Sequence, residues 1–290
     1  MKKILCKAVI LFFIPVAANA QWSGDPAVGT PIVTGTTTAK TGLVSAADGA
    51  GGMFVAWIDS RVSSSQSIYL QRILSDGTKK FADEIEVTSS ANVAGGTSVT
   101  KSNLAIVADG TGGAVLIWQD ARNTTGANSN TDIYGQRVDA DGNLLWTAGG
   151  RRLTVTDNVT SNKTSPVIDV VNATEAIFVY RDNRLGTVDL YAQKIALSNG
   201  APQWASEVSV HGDQASTQIS EVVLEDGAGG IFVVWEDPRV ATTNRNIYGQ
   251  RIDNSGALLW DAAGVAISDA ANNQLTPQIV SDNAGGLVIT

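Results

Sequence analysis

Short apolar runs alternate with glycine- and aspartate-rich stretches through residues 41–290, and four of the runs close on an aromatic residue and a charged pair. The clearest is Ile231-Phe232-Val233-Val234-Trp235, which leads into Glu236-Asp237-Pro238-Arg239 and then Tyr248-Gly249-Gln250-Arg251. Trp57-Ile58-Asp59-Ser60-Arg61 leads likewise to Tyr69-Leu70-Gln71-Arg72, and Trp118-Gln119-Asp120-Ala121-Arg122 to Tyr134-Gly135-Gln136-Arg137. Tyr180-Arg181-Asp182-Asn183-Arg184 leads to Tyr191-Ala192-Gln193-Lys194. An aromatic residue at 57, 118, 180 and 235 marks a tandem repeat of roughly 55 to 62 residues, the signature of a repeat architecture.

Within each unit the pattern predicts four strands. A short apolar strand comes first: Leu43-Val44, Leu104-Ala105-Ile106-Val107, Val167-Ile168, Val222-Val223-Leu224 or Ile279-Val280. A glycine-rich turn follows at 48–52, 109–113, 226–230 and 282–286, where glycine supplies positive φ. The third unit has Asn172-Ala173-Thr174-Glu175 there instead, so its turn must differ. The second strand is unbroken apolar up to the aromatic residue, as expected of a strand buried on both faces. After a variable polar loop the third strand carries Tyr-x-Gln-Arg, and a short turn leads to a fourth strand that starts at Phe81, Trp146, Trp204 or Trp260. Helical periodicity is absent from the mature chain.

Tandem four-stranded antiparallel units predict an all-β β-propeller, each blade burying its faces against its neighbours. The runner-up is a string of immunoglobulin-like sandwiches, which need about 100 residues and seven strands each, so the period argues against them. The units are blades at 41–90, 91–157, 158–211 and 212–269, with a truncated fifth at 270–290. Residues 21–40 hold a strand near Pro31-Ile32-Val33, expected to complete a last blade. All seven tryptophans and all five tyrosines fall at repeat-defined positions and are expected between blades. The chain stops at Thr290, one residue before the next aromatic is due, which reads as a fragment.

Composition adds a compartment. Lys2, Lys3 and Lys7, an apolar run from Ala8 to Val16 and a small-residue site at Ala18-Asn19-Ala20 form a secretory signal peptide over 1–20. The run is too short to span a bilayer, and no later stretch is long enough. The only cysteine, Cys6, lies inside the signal, so the mature chain has no disulfide or thiol chemistry. Losing the three lysines takes the net charge from −8 to −11. So acidic a chain repels phosphates and is a poor nucleic-acid binder. A secreted or cell-surface protein is expected, with the periplasm the other compartment open to it.

The strongest polar signal is the pair Asp59/Arg61, Asp120/Arg122, Asp182/Arg184 and Asp237/Arg239. Residues two apart on a strand share a face, so each pair can meet or reach the next blade. Arginines in a ring could grip a carboxylate, but catalytic groups are singular and these recur, which favours a structural ion pair. Gln71, Gln136, Gln193 and Gln250 recur too and are expected to satisfy backbone groups. The turns starting at Asp139 and Asp253 lack the spaced acids and distal glutamate of a calcium loop and read as hairpin turns. His211, the single histidine, reads as a surface residue and cannot form a zinc site without cysteine. No two glutamates are spaced as an acid/base couple. No catalytic residue, metal or cofactor is implied.

The string Asp-Gly-x-Gly-Gly, Trp-x-Asp-x-Arg, Ile-Tyr-x-Gln-Arg, Asp-x-x-Gly and Leu-Leu-Trp, over about 41–290, resembles a tandem repeat of proteins secreted by or displayed on Gram-negative bacteria. That resemblance implies a propeller and extracellular exposure, often with a C-terminal sorting domain, and supplies no catalytic residue. Repetition of the polar groups points to a non-enzymatic binding or scaffold module with an unknown protein or glycan partner. The alternative is a carbohydrate-active enzyme, a sialidase-like hydrolase or polysaccharide lyase. The variable loops Val62–Ser67, Asn123–Asp132, Leu185–Asp189 and Val240–Asn246 emerge on one face with the inter-blade connectors. Binding residues concentrate on loops held by a rigid scaffold, so a partner is expected on that face, with the Asp-x-Arg pairs at its base.

Overall fold

Each repeat unit folds as one antiparallel sheet whose strands reverse at the turns its sequence encodes. The computed structural model describes residues 31–33, 36–61, 66–88, 99–122, 130–156, 161–212, 216–241 and 243–290. The signal peptide and most of the first two variable loops lie outside these. The first blade is β1 (Lys40–Ala47), β2 (Met53–Asp59), β3 (Ser67–Ile73) and β4 (Ile85–Glu86). The second is β5 (Lys101–Ala108), β6 (Ala114–Asp120), β7 (Asp132–Val138) and β8 (Arg151–Arg152). The third is β9 (Lys163–Asn172), β10 (Glu175–Asp182), β11 (Asp189–Ala196) and β12 (Val208–Ser209). The fourth is β13 (Ile219–Glu225), β14 (Ile231–Ala241), β15 (Asn244–Ile252) and β16 (Val265–Ser268), and β17 (Ile279–Ser281) pairs with β18 (Leu287–Ile289) in a fifth sheet. Within each sheet every strand pairs with the next in sequence, and the inner strands β1, β5, β9, β13 and β17 touch in that order. The architecture is an all-β propeller of four-stranded blades.

The glycine turns hold their shape through the aspartate that opens them. Asp109 Oδ1 accepts the N–H groups of Thr111 and Gly113, both at 2.8 Å, while Oδ2 is gripped by Arg137 of β7. Asp48 with Arg72 and Asp226 with Arg251 repeat the lock. In the third blade a two-residue turn joins Asn172 to Glu175, and Lys194, standing where the arginine does, pairs with Glu175 at 3.1 Å. The last glycine of each turn is required by close approach. A Cβ on Gly113 would lie 2.2 Å from the Val138 carbonyl and 2.7 Å from Asp109 Oδ2. Gly113→Ala is therefore expected to cost on the order of 1–3 kcal/mol, read as a lower midpoint in urea or thermal melting.

The blades pack through three aromatic seams. Trp118 and Tyr134 lie with Phe54, Ala56 and Leu70 between blades 1 and 2. Tyr180, Tyr191 and Trp146 lie between blades 2 and 3, and Trp235, Tyr248 and Trp204 between blades 3 and 4. Burying each ring removes about 150–250 Å² from water. The free face of blade 1, Val55, Trp57 and Tyr69, is packed by Ile32 and Val33. These two residues lie in bends, so the described part of the segment expected to hold an N-terminal strand is not extended.

The fourth strands depart from expectation. They do not begin at the aromatic residue but several residues later, and three of the four are two residues long. The glutamine of the third strand explains this. Gln136 Oε1 accepts the Trp146 N–H at 2.7 Å, and its Nε2 donates to the Thr147 carbonyl at 3.1 Å. The backbone there is satisfied by a side chain instead of the ladder. Gln71, Gln193 and Gln250 do the same for Phe81, Trp204 and Trp260.

Candidate functional site

Each Asp-x-Arg pair closes on itself at the end of the second strand. Arg122 reaches Asp120 at 2.6 Å, Arg184 reaches Asp182 at 2.6 Å and Arg239 reaches Asp237 at 2.5 Å, while Arg61 meets Asp59 at 2.8 Å. Each guanidinium also stacks on the tyrosine of the third strand, 3.8 to 4.0 Å from the ring centre. The carboxylates are buried and the Nε1 groups of Trp118 and Trp235 donate to Asp120 and Asp237. Burial works against ionisation of Asp237, but Arg239, Trp235 and Ser216 together hold its carboxyl below the ordinary range. Beyond these clamps, Arg122 and Arg239 donate to the Gly149 and Ala263 carbonyls, Arg61 pairs with Glu84, and Arg184 donates to Tyr180 and Thr156 and pairs with Glu207. All eight residues thus stand as repeated supports of the variable-loop end.

The residues that break the repeat lie on the inner strands and at the variable position of the second strands. The inner strands of blades 1 to 4 each carry a bulge, with φ of 58°, 47°, 50° and 56° at Gly42, Asn103, Ser165 and Ser220. The residue after the bulge faces the preceding blade, where Leu104 packs into the first seam. At that position blade 4 has Glu221. Its Oε2 accepts both Nε and Nη2 of Arg181 of blade 3 at 2.7 Å, and its Oε1 has no hydrogen-bond partner. The Glu221 side chain is 1% exposed and the Arg181 side chain 23%. Burial pushes the Glu221 carboxyl above its ordinary value, outweighing the attraction of Arg181. Glu236 turns the other way, accepting the Thr276 N–H at 2.8 Å and pairing with Arg245 at 3.1 Å. Asp169 of β9 is also raised by burial, although its oxygens accept the N–H groups of Glu225 and Val170.

Such a constellation is what the sequence reading missed when it found no acid/base candidate. The signal was present in the variable position of Trp-x-Asp-x-Arg, which reads Ile58, Gln119, Arg181 and Glu236. It was present again where Leu43, Leu104, Pro166 and Pro277 align with Glu221. Glu221 is a carboxyl that keeps its proton to higher pH than a free one, with one oxygen fixed by Arg181 and the other buried and unpartnered among the described residues. That is the character of a proton donor.

His211 is not on the surface, as the sequence suggested, but fully buried. It follows Val210 as Thr88 follows Val87, and its Nε2 accepts the Leu190 N–H at 3.0 Å as Thr88 Oγ1 accepts that of Ile68. The ring packs on Trp235 at 5.9 Å. Burial, outweighing nearby Asp237, lowers its pKa from 6.5 to about 4. The unfolded chain therefore binds this proton first as pH falls. Its contribution to stability is full above pH 6.5 and is lost progressively toward pH 4, on the order of 3 kcal/mol. His211→Asn is expected to flatten the urea-melting profile between those pH values, leaving the steeper carboxylate-driven loss at lower pH.

The turns at Asp139 and Asp253 spend their carboxylates internally. Asp139 Oδ1 accepts the N–H groups of Asp141 and Asn143, and Asp253 Oδ1 those of Ser255 and Ala257. Among the described residues no group of three or more His, Cys, Asp or Glu is placed to hold a metal ion.

No protein-family model matches the chain, and no curated protein matches it. Solved structures do. An α-L-arabinanase of Penicillium chrysogenum, complexed with arabinobiose, superposes with a TM-score of 0.52 at 16% identity, over 86% of this chain and 74% of that one. The GH93 α-L-arabinofuranosidase of Fusarium graminearum, also with arabinobiose, gives 0.53 at 13% identity with the same coverage of both chains. At such identity the likeness is one of fold. It bears against the expectation of a non-enzymatic binding or scaffold module, because both of these propellers are arabinose-cleaving glycosidases. The alternative, a carbohydrate-active enzyme on a propeller scaffold, is the reading this comparison favours.

Proposed function

We propose that the protein is an exported carbohydrate-active enzyme that hydrolyses glycosidic linkages, with Glu221 as the proton donor. The observation that carries this is Glu221 itself: a non-repeated inner-strand carboxyl, raised by burial, held by Arg181 on one oxygen and, among the described residues, without a hydrogen-bond partner on the other, which is buried. Glu221 would protonate the leaving oxygen as the bond to the anomeric carbon breaks, and a second carboxylate would activate water or attack that carbon. Asp169 and Glu236 are two further non-repeated acids of these blades. The one that serves is the one whose amide variant also loses turnover. The solved propellers of like fold were captured with arabinobiose, so α-L-arabinosides lead the substrate panel. Purified protein incubated with arabinan, arabino-oligosaccharides and sialyllactose should release reducing sugar from at least one. A folded protein that releases none would overturn the proposal.

A further inference from the structure

Four positions of the repeat depart together at the seam between blades 3 and 4. Each departure buries a polar atom that has no hydrogen-bond partner among the described residues. After the bulge, Leu104 packs into the first seam and Pro166 is buried, but blade 4 has Glu221 and its Oε1. Two residues past the fourth strand, Thr88 accepts the Ile68 N–H and Thr154 donates to Asp132, but blade 3 has His211 and its Nδ1. Two residues before the bulge, Lys101 donates across the first seam to the Gln66 carbonyl at 2.8 Å, and the Lys163 ammonium lies 3.3 Å from Asp132 across the second. Blade 4 has Gln218 there, whose shorter amide turns back to Ser216 and Asp237 and leaves Oε1 alone. Finally, Arg61, Arg122 and Arg184 donate Nε to their aspartates, whereas Nε of Arg239, stacked on Tyr248, donates to nothing.

With Nε2 of His211 accepting from Leu190, Nδ1 carries the ring proton. With Arg181 donating to Oε2 of Glu221, the proton of that carboxyl sits on Oε1. The closed seam therefore holds three idle donors and one idle acceptor, all of which water would satisfy. A polar group buried without a partner costs free energy that a solvated one does not. All three seams bury tryptophan and tyrosine rings, so apolar packing does not set this one apart. Its polar set does, because parting the seam returns four groups to water. Closure also has a consequence for chemistry: the Glu221 side chain is 1% exposed, so substrate does not reach it while the seam is shut.

We infer that the seam between blades 3 and 4 is a gate: it parts transiently while the other two stay shut, and its parting uncovers Glu221. The parting stands on the buried polar set alone; the uncovering of a working acid rests on the hydrolase reading. The test uses the full chain carrying Cys6→Ser, which removes the only native thiol, with one cysteine placed at Val87 or at Val210. These two valines hold one repeat position, are fully buried in the first and third seams, and each donate N–H to a third-strand carbonyl. A buried thiol reacts with an aromatic disulfide reagent only when its surroundings open. Val210→Cys should react at least about tenfold faster than Val87→Cys. Adding His211→Thr and Gln218→Lys, which restore the residues of the other blades and leave Glu221 in place, should slow it to the Val87→Cys rate. Equal rates at the two sites, or a fast rate that the restoring pair does not slow, would overturn the inference. Residue-resolved hydrogen exchange on the unaltered chain covers the case in which a variant fails to fold. There the Gln218 N–H, bonded across the seam to the Val188 carbonyl at 3.1 Å, should lose more protection than the Lys163 N–H, bonded across the second seam to the Thr131 carbonyl at 3.0 Å. Equal protection would also count against the gate. The two proposals separate cleanly. Fast reaction at Val210→Cys in a protein that cleaves nothing sinks hydrolysis and leaves the gate standing. Undiminished cleavage by the restoring pair, once its thiol reaction has slowed, sinks the uncovering of Glu221 by the gate and leaves hydrolysis standing.

Discussion

Glu221→Gln is expected to lower turnover of a cleaved glycoside by about 10²–10⁴-fold while leaving the protein folded. The amide keeps the shape of the carboxyl and can still accept from Arg181, but it has no proton to give. Arg181 remains partly exposed, so its charge is not stranded in a dry interior. Two readouts separate this from simple structural damage. The melting temperature should move little beside the loss in rate. In the wild type the rate should fall as pH rises through the raised Glu221 pKa, and that alkaline limb should vanish from the residual activity of the variant. Aryl glycosides with good leaving groups, which need no protonation, should be cleaved far better by the variant than natural linkages are. Equal losses on both substrate types would remove Glu221 from the role of acid.

Trp118→Ala is expected to cost about 3–5 kcal/mol, the largest single loss of stability. The ring is fully buried, packs against blade 1 and donates Nε1 to Asp120 at 2.8 Å. Its site is shaped for it: a Cβ on Gly150 would lie 2.5 Å from the ring. Little can collapse into the space, so both the transfer term and the cavity term apply. Trp57 supplies the contrast. It is as buried, but among the described residues the hydrophobics packed on its face are Ile32 and Val33, and its Nε1 has no hydrogen-bond partner. Trp57→Ala should cost clearly less in the same urea titration. Equal costs would mean that the seams are not what holds the blades together.

Much of the fold was legible because it is written several times over. The apolar second strand, the Asp-Gly turn and the Tyr-x-Gln-Arg strand recur, and the inter-blade place of eight of the aromatics followed from the same recurrence, while Trp57, Tyr69 and Trp260 lie in no seam and Trp22 lies outside the described residues. The bulge was not legible, because Gly42, Asn103, Ser165 and Ser220 share a backbone conformation and no side-chain type. His211 was misplaced because it stands alone in the sequence; only the register of Val210 against Leu190 reveals that it replaces a threonine. The candidate acid was hidden for a related reason. Repetition drew attention to the Asp-x-Arg pairs, whereas Arg181 and Glu221 lie 40 positions apart and meet only across a seam.

The lock on each glycine turn has a consequence for how such a chain can change over generations. In blades 1, 2 and 4 the aspartate and the arginine that grips it belong to the same repeat unit, as with Asp48 and Arg72. A copy of one unit inserted in frame would arrive with its turn already fastened and its strand register already set. Recombination between neighbouring units could thus alter the number of blades without inventing new contacts inside any of them. The features that answer only to one neighbour, Arg181 with Glu221 and Gln218 with the Val188 carbonyl, would be the first to lose their partners in such an exchange. A lineage that relies on that seam is under pressure to keep blades 3 and 4 side by side, while the rest of the array is free to grow or shrink.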